Sequence, residues 1–64
     1  MDVNEINKKK IPGDFATAAR MLGKSTEAVR QGWAIRTGST FEGAYKALEL
    51  IITTREQLIN TFKK

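Results

Sequence analysis

Apolar residues recur at helical spacing in three stretches of the chain, separated by polar breaks. Phe15, Ala18, Ala19 and Leu22 share one side of a helix, with Ala16, Thr17 and Arg20 directed elsewhere. This predicts a short amphipathic helix from Phe15 to Leu22, opened by Asp14 as N-cap and closed by Gly23, which takes a left-handed conformation at no steric cost. Ser25 restarts the chain as the N-cap of a second helix, from about Thr26 to Ile35, with Glu27 in its first turn and Val29 and Trp33 as its apolar ridge. Glu27, Arg30, Gln31 and Ala34 fall opposite Val29, so one face packs and the other stays polar. After the break Arg36-Thr37-Gly38, the pair Ser39 and Glu42 has the spacing of a capping box. The helix it predicts runs from about Thr40 to Phe62, and the one strand-like stretch, Leu50 to Thr54, lies inside its helical period.

The first residues fit this pattern less well. Val3, Ile6 and Ile11 are scattered among Asn4, Asn7 and the run Lys8-Lys9-Lys10, and the stretch ends at Pro12-Gly13. Proline disfavours helical geometry at Ile11 and glycine lets the chain turn, so residues 1–13 read as a flexible basic arm and residues 14–64 as the folded body. The expected fold class is all-α, a small three-helix bundle with a long C-terminal helix.

Composition narrows the chemistry. The 64 residues include neither cysteine nor histidine, which removes disulfides, thiolate and imidazole ligands, and Cys–His or Ser–His nucleophile pairs. No pair of carboxylates is isolated on an apolar face, so we expect no enzyme, no metal site and no cofactor. No apolar run approaches the roughly 20 residues of a membrane span, and Met1-Asp2-Val3-Asn4-Glu5 lacks the pattern of a signal peptide, which gives a soluble, cytoplasmic protein as the expectation. The formal charge of +4 is unevenly spread. Residues Lys8 to Arg36 hold seven basic and two acidic side chains, whereas residues 37–64 hold four and three. Such an asymmetry is the footprint of a nucleic-acid partner, although a lysine run also serves as a solvated tail.

Two short helices joined across Gly23-Lys24-Ser25 have the sequence form of a helix-turn-helix. That motif needs a small residue where the helices cross, a glycine at the turn and a β-branched apolar residue in the second helix. Ala19, Gly23 and Val29 fill those roles in order. The stretch Thr17 to Gln31 resembles the helix-turn-helix of phage Cro and repressor proteins, particularly in Ala19, Leu22-Gly23 and Ala28-Val29. The resemblance implies a second helix that enters the DNA major groove, with Ser25, Thr26, Glu27, Arg30 and Gln31 facing the DNA. Arg30 has the planar fork that pairs with guanine, and Gln31 the geometry for adenine. Lys24 and the run Lys8, Lys9 and Lys10 complete the candidate DNA-binding set. Gly32 departs from the pattern, because a larger apolar residue is commoner there. Trp33 reads as core, plugging the junction of the second and third helices.

The third helix carries more apolar surface than two short helices cover. Tyr45, Leu48, Ile52, Ile59 and Phe62 follow one four-three stripe, and Ala44, Leu48, Ile51, Leu58 and Phe62 a second. We therefore expect a homodimer, with Ile51, Leu58, Ile59 and Phe62 at the contact. The functional expectation is a small, non-enzymatic transcriptional regulator of bacterial or phage type, nucleoid-associated, that binds double-stranded DNA sequence-specifically. The alternative is a helical protein–protein interaction module that uses the long C-terminal helix.

Overall fold

The computed structural model describes residues 1–62, which form four α-helices and no strand. These are α1 (Val3–Lys9), α2 (Asp14–Leu22), α3 (Thr26–Ile35) and α4 (Ser39–Phe62). At 24 residues, α4 is about 36 Å long and forms the spine of the bundle. The other three helices all pack on it, and α2 and α3 pack on each other. Ala18, Ala19, Val29, Trp33, Ala44, Ala47, Leu48 and Ile52 make the core together with Ile6. Small residues dominate where helices cross: Gly43 of α4 lies under the Leu22 side chain, which would sit 3.1 Å from a Cβ there.

The all-α class is as the patterning indicates, but the bundle has four helices where three were expected. Within residues 1–13, expected as an arm, Val3–Lys9 form a helix that packs on α4. Asp2 caps α1 by accepting from the Glu5 amide at 2.8 Å, and Ile6 is fully buried. A second anchor comes from Trp33, whose indole N–H donates to Asn7 Oδ1 at 2.9 Å. The indole also stacks on Phe41 with centroids 5.2 Å apart, so Trp33 joins α1 as well as α3 and α4. Two polar links close the far end of α1, where Lys9 pairs with Glu56 of α4 and Arg55 donates to the Lys9 carbonyl.

Two expected caps sit differently. Asp14 is the first residue of α2 and Gly13, at φ 99°, stands in the cap position. The Asp14 carboxylate instead reaches back to the Ile11 amide and across to Arg55, both at 3.0 Å. This explains how a carboxylate only 5% exposed is tolerated, since burial of a charge is costly unless it is paired and hydrogen-bonded. Likewise Ser39 is already helical, and the Gly38 carbonyl accepts the first α4 bond, from the Glu42 amide.

Candidate nucleic-acid interface

The geometry of α3 is fixed from both ends and from beneath. At the turn before it, Gly23 adopts φ 68° while its amide donates to Arg20 and the Lys24 amide to Ala19, which satisfy two of the last four carbonyls of α2. Ser25 caps α3 by accepting from the Ala28 amide at 3.1 Å. Beneath it, Val29, Gly32 and Trp33 are buried, and Ala19 provides the small surface on α2. Gly32 has a specific reason to be glycine. A Cβ there would lie 2.5 Å from Thr40 Cγ2, so α3 and the start of α4 could not approach as they do.

The opposite face of α3 is free. Thr26, Glu27, Arg30 and Gln31 are exposed, as are Lys24 and Ser25 in the turn. Arg30 and Glu27 stand 3.9 Å apart with both side chains well over half exposed, too loose a contact to hold the guanidinium. Thr26 and Arg30 face the start of α2 across a groove of about 350 Å³, walled otherwise by Pro12, Gly13, Phe15 and Ala16. Lys10 joins this neighbourhood, because its ammonium lies 5.2 Å from the Phe15 ring centroid. The fold thus gathers Thr26 and Arg30 about one groove and sets Lys10 against Phe15 of its wall.

The two lysines that end α1 and Lys10, its C-cap, separate. Lys8 is exposed, and Lys10 lies over the Phe15 ring. Lys9 turns to the other side, where Glu56 at 2.9 Å and Glu5 at 3.3 Å hold it and push its pKa above the usual lysine range, hydrogen bonding to Glu56 being the larger cause. Lys9 is therefore engaged by two carboxylates within the protomer.

A second surface lies on the α2 and α4 side. Met21, Leu50, Ile51, Thr54, Arg55, Leu58 and Ile59 line an apolar groove of about 500 Å³. Of the residues expected at a dimer contact, Ile51 is half-buried at its floor, Leu58 and Ile59 are exposed along it, and Phe62 is exposed further along α4. Met21 and Leu50 belong to the same surface and escaped the sequence reading. Each lies off the main stripe of its helix, and only the packing of α2 against α4 brings them together.

Among the described residues no cluster of carboxylates could hold a metal ion, and no helix is long and apolar enough to cross a membrane. Comparison with known protein families, with curated protein sequences and with solved structures gives no match.

Proposed function

We propose that the protein binds double-stranded DNA through α3 and acts, as a dimer, as a small transcriptional regulator of the Cro and repressor kind. One observation carries this reading: α3 is seated by Ala19, Val29 and the Gly23 turn, yet presents Thr26, Arg30 and Gln31 outward, with Lys24 in the preceding turn and Lys10 over Phe15 in the wall of the adjoining groove. An α-helix is the right width for the major groove. Arginine and glutamine on its free face offer bidentate partners to guanine and adenine, while Lys10, Lys24 and the Ser25 end of the helix are suited to phosphate. Glu27 fits such a face by accepting from a cytosine amino group or by orienting Arg30. The location that goes with this activity is the cytoplasm, on the nucleoid.

The apolar groove on α2 and α4 is what a protein-interaction module would use, and it supports that second reading if DNA binding fails. The test is a fluorescence-anisotropy titration against a randomised duplex pool at low and moderate salt, followed by selection of the preferred site. Binding that weakens with salt and improves on the selected duplex supports the reading. Absence of binding to any duplex at low salt overturns it.

A further inference from the structure

The C-terminal part of α4 outruns the bundle. The ion pairs Asp14–Arg55 and Lys9–Glu56 mark where α2 and α1 begin and end against it, and every described residue from Gln57 to Phe62 is exposed. Leu58 and Ile59 stay over half exposed and Phe62 is 86% exposed. At 100° per residue, these three fall on the same side of α4 as the core residues Ala44, Ala47, Leu48 and Ile52, so the overhang continues the packing face and, among the described residues, stays exposed there. Toward the bundle, Leu58 and Ile59 also line the groove that Met21, Leu50, Ile51 and Thr54 form beside that face. Contiguous apolar surface of this kind marks a contact site.

We propose that a second copy of this chain fills the groove, through antiparallel pairing of the two α4 helices about a two-fold axis beside Thr54. Thr54 lies midway between Leu50 and Leu58, so the two-fold sets each Leu50 against Leu58 of the partner subunit and lets the small Thr54 sit at the closest approach. The overhang of each copy then covers the groove of the other, beside Met21, and the two contacts are identical as an isologous interface requires. Charge favours an identical partner over a charged one. Among the described residues Arg55 is the only ionisable side chain lining the groove, and Asp14 neutralises it at 3.0 Å, so the described parts of two such faces meet without repulsion. A bundle of this size, with nine buried apolar residues, also gains disproportionately from the added burial. The surface is the one that the dimeric form in the DNA-binding reading rests on, but its test needs no DNA.

The chain has no native cysteine, so single introduced cysteines report the geometry directly. We expect the wild type to sediment at twice 7.2 kDa and Leu58→Lys at 7.2 kDa, with its helical circular dichroism retained because Leu58 is exposed in the protomer. The dissociation constant should rise about a hundredfold or more in that variant. Under mild oxidation Thr54→Cys should form a disulfide-linked dimer, as facing Cα atoms near the two-fold come within bridging distance, whereas Ala34→Cys on α3 should not. A crosslink at Thr54 alone supports the proposal even where Leu58→Lys unfolds the chain. A wild type monomeric up to about 0.5 mM overturns it. So does a dimer in which Thr54→Cys fails to crosslink, or crosslinks no better than Ala34→Cys. Duplex binding is read separately with Arg30→Ala, so a failed dimer and a failed DNA reading give different results.

Discussion

Gly32 and Arg30, two residues apart on α3, do opposite kinds of work, and each yields a test. Gly32 is buried against Thr40, and alanine there would bring its Cβ to 2.5 Å from a methyl and 2.9 Å from Thr40 Cβ. Alanine favours helix over glycine by about 1 kcal/mol, but overpacking typically costs 1–3 kcal/mol. Gly32→Ala should therefore destabilise by about 1 kcal/mol and lower the melting midpoint by roughly 4–8 °C. Thr40→Ser in the same chain, which deletes the clashing methyl, should return part of the loss in thermal melts. Arg30 touches nothing firmly, so Arg30→Ala should leave the melt unchanged. On the selected duplex it should cost about 1–3 kcal/mol of binding, and much less on scrambled DNA if the guanidinium reads a base. Equal losses on both duplexes would make Arg30 a phosphate contact.

At the scale of elements, α1 is the addition that the sequence did not announce. Ile6 is its one buried residue, so a seven-residue helix offers almost no period to detect. Its signal was local, an Asp2 cap three residues before Glu5, and it needed Asn7 and Lys9 to find Trp33 and Glu56 far along the chain. By contrast α2, α3 and α4 were legible within one or two residues, because each repeats its buried positions over several turns. The displaced caps have a common reason. Asp14 and Ser39 both follow a glycine with positive φ, and Gly13 or Gly38 takes the cap position, leaving the polar side chain inside the helix. Of the candidate interface, the free face of α3 could be read from helical period alone, whereas the approach of Lys10 depended on α1. Two variants test the attachment of α1. Ile6→Ala should cost about 2–4 kcal/mol by cavity formation, a large share of the stability of so small a bundle. Arg55→Ala should leave the Asp14 carboxylate buried with the Ile11 amide as its remaining hydrogen bond. We expect a loss of about 1–3 kcal/mol, because Arg55 is itself partly exposed and the full cost of breaking a buried pair does not apply. Urea unfolding measures both, and an unchanged midpoint for Arg55→Ala would mean that the carboxylate finds water once its partner is gone.

For the whole molecule, the decisive property is how the basic charge is divided between holding the fold and remaining free for a partner. Lys9 and Arg55 are spent on Glu56, Glu5 and Asp14, while Lys24 and Arg30 stand beside or on the outward side of α3 and Lys10 lies over Phe15. If duplex binding is driven by phosphate neutralisation, each lost contact removes about 0.9 from the slope of log affinity against log salt. Lys10→Ala and Lys24→Ala should then weaken binding to every duplex about equally and each flatten that slope by about one unit. Lys9→Ala should behave differently although it is the adjacent residue and carries the same charge. Its ammonium is held by Glu5 of α1 and Glu56 of α4, so removing it should lower the melting midpoint and leave the slope unchanged. The measurement is the affinity of all three variants on one duplex at several salt concentrations between about 50 and 200 mM, each protein first shown to be folded at the temperature used. A flattened slope for Lys9→Ala with no change for Lys10→Ala would place the DNA on the α4 side of α1 and remove α3 from the interface.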